Sequence, residues 1–423
     1  MNRPATLADA VARLDAYDPD ALPVASARAV IDTLVEPVQA VERVAIRAAL
    51  DRVLACDVVS PIDVPAHDNA AMDGYAVRSA DVCGPDTAAL RVVGTALAGV
   101  PFGGSVGPGC AVRVMTGAVM PVGCDTVVMQ EAVSLESGIV SIPPGQVPGQ
   151  NLRLRGEDLA AGRAALRAGR IMTPADLGLL ASLGVAEVPV RRRLRVAFFS
   201  TGDELCSIGE PLAPGQIYDS NRYTLWGMLR RLGVDVIDMG IVPDRPDALE
   251  AAVRSAAACA DAIISSGGVS VGEADYTRDI MARLGDIAFW TIAMRPGRPL
   301  AFGRIGDACY FGLPGNPVAV MITFYFFARD ALLRMMGAQP RPHLYVRATS
   351  TETFRKKPGR TEYQRARLAI GIDGRMVVSA TGSQGSGVLR SMSEANCIVV
   401  LHHDQHGVAP GDQVDCLPFD GLI

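Results

Sequence analysis

Hydrophobic positions between residues 194 and 336 alternate regularly: short, nearly continuous apolar runs, then stretches in which apolar residues recur three and four positions apart. The runs LRVAFFST, VDVIDMGIV and DAIISSGG read as buried strands. NRYTLWGMLRRLG, DALEAAVRSAAACA and a segment from about Asp275 read as helices. In the first helix Leu225, Met228, Leu229 and Leu232 fall at i, i+3, i+4 and i+7, a stripe suited to packing on a sheet. Strands at 287–294, 299–305 and 309–313 follow, and the apolar stretch 316–336 closes the unit as a helix. This alternation predicts a mostly parallel sheet covered by helices on both faces.

The pattern differs on either side. Residues 1 to about 36 predict helix, with Val30 and Leu34 four apart and Pro37 ending it. Residues 91–150 carry short β-type runs between glycines and prolines, which predicts a small β-rich domain. Residues 171–190 read as a helix with Pro174 in its first turn, then a strand, and Arg191, Arg192 and Arg193 mark a domain boundary. From about His343 β-type runs separated by IDG, TGSQGSG and APGD turns predict a separate all-β domain.

Candidate chemistry collects where the predicted strands end. In DAIISSGGVSVGEADYT a strand opens through Ser265, Ser266, Gly267 and Gly268 into a loop with Gly272, Glu273 and Asp275. Glycines there let backbone N–H groups approach a phosphate. Carboxylates beside a phosphate repel it: a like-charge pair about 4 Å apart costs roughly 4 kcal/mol at an effective dielectric near 20. A hard divalent cation resolves the conflict, so the stretch predicts a phosphorylated ligand plus a metal.

Two further strand-end loops carry polar residues, STGDEL with Glu204 and the loop after Val242 with Asp244. In YDSNR the residues Asp219, Ser220 and Asn221 sit at a helix start, and Asn221 is the favoured N-cap. Earlier in the chain Asp68 and Asn69 read as turn residues, whereas Asp73 sits between Met72 and a strand-like run. Thr116 ends another strand, and Asp158 belongs to RGEDL, which reads equally as a charged hairpin loop and as a binding loop.

Arg295 and Arg298 flank a Pro-Gly turn that directs two guanidinium groups to one side. Pro314 and Pro317 stiffen the turn before the last helix, whose N-terminus is itself an anion site. In the C-terminal domain Arg360, Arg365, Ser383 and Ser386 occupy two loops; hydroxyls and arginines together suit an oxyanion, and surface charge is the alternative for the arginines.

Composition narrows the function classes. At 423 residues, with 49% hydrophobic and 20% charged residues, the chain reads as a folded multidomain protein. Its net charge of −5 excludes an overall electrostatic footprint for nucleic acid. Nine cysteines show no C-x-x-C spacing and no close pairing with the five histidines, and Cys56, Cys259, Cys309 and Cys397 lie in apolar segments, which predicts buried, reduced thiols. His402, His403 and His406 read as exposed turn residues. With no signal-peptide pattern and no apolar run long enough for a bilayer, a cytoplasmic protein without membrane contact is expected.

Ten colinear motifs, DNAAMDGYAVR, RVMTGAVMP, RGEDL, FFSTGDEL, IYDSNRY, SSGGVSVGEADYT, PGRP, FGLPGNPV, PGRTEYQR and GSQGS, run from about residue 30 to the C-terminus. Together they resemble the MoeA and gephyrin E-domain family of molybdopterin molybdenumtransferases. The resemblance implies a homodimer whose chain comprises a discontinuous N-terminal region (1–60 and 151–190), a β-rich insertion (61–150), a molybdopterin-binding α/β domain (191–340) and a C-terminal β domain (341–423). It implies cleavage of adenylylated molybdopterin with release of AMP, using Mg2+ or another divalent cation, and insertion of molybdate to give molybdenum cofactor.

By the same resemblance Glu204, Asp244 and Asp275 match the nucleotide and metal site. Asp73, Thr116 and Asp158 match an active cleft formed between subunits, and Ser386, Arg295, Arg298, Arg360 and Arg365 match the region that receives molybdate. A molybdopterin adenylyltransferase and recipient molybdoenzymes are implied partners. The chain departs from the family at Arg295, Arg298 and Thr291, where lysines are usual. Arginine keeps the charge and grips tetrahedral oxyanions, but it supplies no neutral amine.

Overall fold

The computed structural model describes residues 6–14, 16–268, 275–339 and 342–420, with Asp275 and Tyr276 described through their backbone. Gly272 and Glu273 lie outside the described residues.

A six-stranded sheet forms the middle of the chain, in the order Asp235–Val242, Arg195–Thr201, Ala262–Ser266, Ala308–Leu313, Pro299–Ile305 and Asp286–Thr291. The first four strands are mutually parallel. Pro299–Ile305 runs antiparallel to both of its neighbours while the other five strands point one way, so the sheet is mostly parallel with one reversed strand. The cause is local: only Gly306 and Asp307 separate Pro299–Ile305 from Ala308–Leu313, and Gly306 has φ +57°. Two residues make a hairpin and leave no length for a crossover.

Successive strand residues face opposite layers. Phe198 and Ile264 enter one core with Leu225, Met228 and Leu229 of the helix Ser220–Arg231 and Val318, Val320 and Ile322 of the last helix. Ala197, Phe199 and Ile263 enter the other core with Leu249, Val253, Ile280 and Met281 of Pro246–Cys259 and Asp275–Leu284. Apolar burial on both faces accounts for the unbroken hydrophobic runs.

The N-terminal residues do not form a helical region of their own. Helices Leu7–Val11 and Val24–Leu34 are separate, and Leu7, Ala10, Ala27, Val30, Ile31 and Leu34 join the first core of the central domain. The stripe on Val24–Leu34 is too narrow for a bundle and finds its partner on the α/β unit; Arg28 adds an ion pair to Asp330 at 2.5 Å.

A small lobe pairs Val41–Ala45 with Glu187–Arg191 and Val58–Val59 with Ala164–Leu166, over a core with Leu54, Met172, Leu180 and Val188. The arginines at its boundary fasten it: Arg191 donates to the Val38 carbonyl at 3.1 Å, Arg192 grips Asp261 with two bonds of 2.9 and 3.0 Å, and Arg193 donates to the Gly233 carbonyl at 2.7 Å.

The insertion is a six-stranded mixed sheet ordered Thr126–Met129, Gly74–Val77, Cys110–Val114, Ala88–Ala96, Ile139–Ile142 and Ser134–Glu136, with apolar cores on both faces. In the C-terminal domain Thr361–Ile370, Met376–Ala380, Val346–Ser350, Gln413–Pro418 and Cys397–Leu401 close into a five-stranded barrel, because Thr361–Ile370 pairs with both Met376–Ala380 and Cys397–Leu401. Met294–Arg295 of the central domain adds to the barrel beside Thr361 and Glu362. Of the cysteines expected in the interior, Cys309 and Cys397 are buried, Cys259 is half-buried and Cys56 is exposed. No helix among the described residues is long and apolar enough to cross a membrane.

Candidate functional site

The parallel strands Arg195–Thr201 and Ala262–Ser266 end side by side, and the polar residues follow directly. Gly267 has φ +96°, and a Cβ there would lie 2.3 Å from the Thr201 carbonyl oxygen, so only glycine lets this loop press against its neighbour. Gly268, with φ +68°, would bring a Cβ to 3.1 Å from the Thr201 methyl.

On one side of this junction the Thr201 hydroxyl donates to Asp244, and Asp203 accepts the Asp244 backbone N–H at 3.1 Å. Glu204 is exposed and folds back over Gly202, where a Cβ would meet its Oε2 at 2.4 Å. Asp275 opens the helix Asp275–Leu284 that follows the glycine loop. No group of three His, Cys, Asp or Glu side chains is arranged to hold a metal among the described residues. The donors present at Glu204 and Asp244 are all oxygens, the chemistry that a hard divalent cation takes.

On the other side, Asn221 is not the helix cap. Asp219 caps Ser220–Arg231 by accepting the Arg222 N–H at 3.0 Å. Asn221 instead turns inward and donates to Ser266 Oγ at 2.8 Å and to the Gly315 carbonyl at 2.6 Å. One amide therefore ties the glycine loop to the turn between Pro314 and Pro317. Asn221 Oδ1 and Asp219 Oδ2 are buried with no hydrogen-bond partner. Such orphans are uncommon in folded proteins and concentrate where function sets the geometry. The two-residue spacing in YDSN was the available signal, since only one of two polar residues so placed can cap the helix.

Ser265 is less available. Its hydroxyl bonds the Tyr310 phenol at 2.7 Å, and burial pushes that phenol's pKa up to about 12.

The turn at Pro314–Pro317 leads to the C-terminal barrel. The Val318 N–H donates to the Ser386 carbonyl at 3.0 Å, so Ser386 stands at the start of the helix that Pro317 opens. The loop carrying Ser386 is gripped by Arg365, which is 1% exposed. Its Nε donates to Ser391 Oγ at 3.0 Å, Nη1 to the Gln384 carbonyl at 3.2 Å, and Nη2 to the Ser383 and Gly385 carbonyls at 3.2 and 2.8 Å. Burial, then the neighbouring Arg295 charge, pulls the Arg365 pKa down to about 10, which leaves it charged at neutral pH. Arg365 is thus spent on shaping the loop. Arg360 is half-engaged, paired with buried Glu362 at 2.8 Å. Arg295 and Arg298 are exposed and make no side-chain bond among the described residues.

The remaining predicted residues lie on the insertion and the small lobe. Gly74 packs so tightly that a Cβ would sit 2.0 Å from the Val128 carbonyl oxygen, which fixes the strand that presents Asp73. Asp73 Oδ1 accepts both the N–H and the hydroxyl of Thr116 at 2.7 Å, and these two bonds hold its pKa below the ordinary carboxylate value. Asp158 is exposed, and its N–H donates to the Val64 carbonyl at 3.1 Å. No hydrogen bond or ion pair described within the chain joins Asp73, Thr116 or Asp158 to the strand-end residues or to Arg295.

Comparison with known proteins bears on the whole arrangement. Three family models tile the chain: the MoeA N-terminal region (domain I and II) over residues 22–184, the probable molybdopterin binding domain over 197–334, and the MoeA C-terminal region (domain IV) over 347–419. The chain is 42% identical over 380 residues to a molybdopterin molybdenumtransferase of Haemophilus influenzae, covering 89% of this chain and 94% of that one. The chain belongs to the MoeA family of molybdopterin molybdenumtransferases.

A further molybdopterin molybdenumtransferase, from Nostoc, is 40% identical over 385 residues, 89% of this chain and 88% of that one. The crystal structure of a molybdopterin biosynthesis MoeA protein from Pyrococcus horikoshii superposes with a TM-score of 0.82 at 29% identity, covering 95% of this chain and all of that one. In this MoeA chain the Asn221 bridge joins two of the strand ends, at Ser266 and Gly315.

Proposed function

We propose that this chain releases AMP from adenylylated molybdopterin and transfers molybdenum to the pterin at one continuous site spanning the central domain and the barrel. The overall activity is that of the family, molybdenum insertion into molybdopterin for molybdenum cofactor synthesis. The observation that carries the finer reading is the Asn221 bridge, which sets the glycine loop and the Pro314–Ser386 region at fixed distance. The Gly267 N–H is taken by the Leu313 carbonyl at 3.1 Å, which leaves the Gly268 N–H, among the described glycines of the loop, to face the phosphates. Arg295, Arg298 and Ser386 receive the oxyanion, in a loop that Arg365 holds in shape.

A divalent cation, Mg2+ or a similar hard ion, fits the oxygen donors of Glu204 and Asp244, with Asp275 as the third. When bound it supplies charge neutralisation at the phosphoanhydride. Glu204 and Asp244 orient it, and the Thr201 hydroxyl fixes the Asp244 carboxylate. Asp73, Thr116 and Asp158 complete the cleft from a second copy of the chain, since no hydrogen bond or ion pair among the described residues of one chain engages them with the strand ends. A homodimer is therefore part of the proposal, with an adenylyltransferase and molybdoenzymes as its upstream and downstream partners. Mixing Asp73→Asn with Asp275→Asn protomers tests it: inactive alone, the variants regain up to about half of wild-type turnover per heterodimer, or about a quarter in a random one-to-one mixture. Absence of any recovery in verified heterodimers counts against a shared cleft.

A further inference from the structure

The chain carries two basic runs, and the structure treats them differently. Arg191, Arg192 and Arg193 are consumed by backbone carbonyls and by Asp261. The second run, Arg355 to Lys357, opens onto a cleft of about 580 Å3 between the barrel segments 353–357 and 407–409 and the central domain's Arg295. Arg295, Arg355, Lys356, Lys357 and Arg360 line it against a single carboxylate, Glu362.

That carboxylate is already used: Glu362 accepts from Arg360 and, at 3.1 Å, from Gln364 Nε2. Lys356 is also committed, donating to the His403 and Gln405 carbonyls at 3.0 and 2.6 Å, and burial draws its ammonium pKa down. Arg355 and Lys357 are exposed and have no side-chain partner among the described residues. On a chain of net charge −5, uncompensated cations held around one concavity focus the field toward an incoming anion. The volume lies in the range of small-molecule sites.

We infer that this cleft is an anion-capture site on the barrel, in which Arg355 and Lys357 hold a small multivalent oxyanion beside Arg295. The inference rests on the proposed function for its two sources of such an anion, the inorganic oxyanion substrate and the phosphate of the released nucleotide. Neither Arg355 nor Lys357 belongs to the transfer machinery described above. Their role is to raise local anion concentration at its edge.

The test is the full-length double variant R355A/K357A against wild type. Turnover is measured with molybdate varied at several ionic strengths, and binding of molybdate and of AMP is measured separately by calorimetry. Capture of the inorganic anion predicts kcat within about twofold, a molybdate KM raised about tenfold and a flatter salt dependence, the behaviour of a steering charge. Capture of the nucleotide phosphate predicts weakened AMP binding with molybdate KM unchanged. Wild-type values for molybdate KM, AMP affinity and salt dependence together overturn the site. Calorimetry needs no turnover, so a protein that makes no cofactor would defeat the transferase reading while this result still stood on its own.

Discussion

Replacing Arg365 by Met removes a guanidinium but keeps a side chain of similar length. Four bonds of 2.8–3.2 Å are lost, three of them to carbonyls of Ser383, Gln384 and Gly385. Hydrogen bonds to a charged group contribute about 1.5–3 kcal/mol each. Against that, burying the guanidinium costs several kcal/mol, which the variant no longer bears. The loop at 383–386 is also exposed or half-exposed, so its carbonyls can turn to water, whereas Ser391, 3% exposed, cannot.

The net loss of global stability is therefore small, about 2 kcal/mol. The local effect is larger, because Arg365 alone gathers the Ser383, Gln384 and Gly385 carbonyls to one point; among the described residues only the Gly385 carbonyl has a further donor, the Val388 N–H at 3.3 Å. Hydrogen exchange at residues 383–387 should accelerate far more than in the barrel strands, and the molybdate KM should rise about tenfold, equivalent to 1.4 kcal/mol. Arg365→Lys, with a single ammonium in place of a fork, falls between. Wild-type exchange at 383–387 together with a wild-type KM in R365M would refute the assignment of Arg365 as the residue that shapes this loop.

Further outcomes follow from the same geometry. Asn221→Ala removes both ties between Ser266 and Gly315; kcat should fall at least tenfold while unfolding shifts by no more than about 1–3 kcal/mol, as read by paired kinetics and denaturation. Thr201→Val frees the Asp244 carboxylate and should raise the metal concentration needed for half-maximal activity, with metal-saturated turnover nearly restored.

For Asp73 the folded pKa lies below the ordinary 3.8, so its contribution is complete above that value and is lost as pH falls through the lower folded pKa. Thr116→Val removes the hydroxyl bond but not the larger N–H contribution, and should move the Asp73 carboxyl only part of the way back toward 3.8 in a carboxyl NMR titration.

Much of the central domain is legible in the chain because apolar burial on both faces writes strands and helices as unbroken or 3.6-periodic runs. The helix Ser220–Arg231 and the strand Arg195–Thr201 lie within a residue or two of their predicted positions. The one reversed strand, Pro299–Ile305, was not singled out because periodicity reports burial, not direction; the short link at Gly306 carried that information. The helical N-terminus fared similarly: its residues are helical in two pieces, but what they pack on is a tertiary fact.

At the site, residue types alone did not tell which contacts each side chain makes. Asp219 takes the capping role expected of Asn221, because capping depends on which side chain faces back along the helix. Arg365 reads in PGRTEYQR as an oxyanion ligand or a surface cation, yet it is among the most buried side chains in the barrel. A buried arginine is recognisable only from the carbonyls that receive it, and those lie some twenty residues away in sequence.

The most direct test of the account is AMP release from adenylylated molybdopterin by the purified protein, with divalent metal and molybdate each supplied or withheld, for wild type and Asp275→Asn. The account predicts release that requires the metal, increases with molybdate, yields active cofactor, and disappears in Asp275→Asn with fold and assembly intact. Tight pterin binding without release in the wild type, or undiminished release by Asp275→Asn, would contradict it.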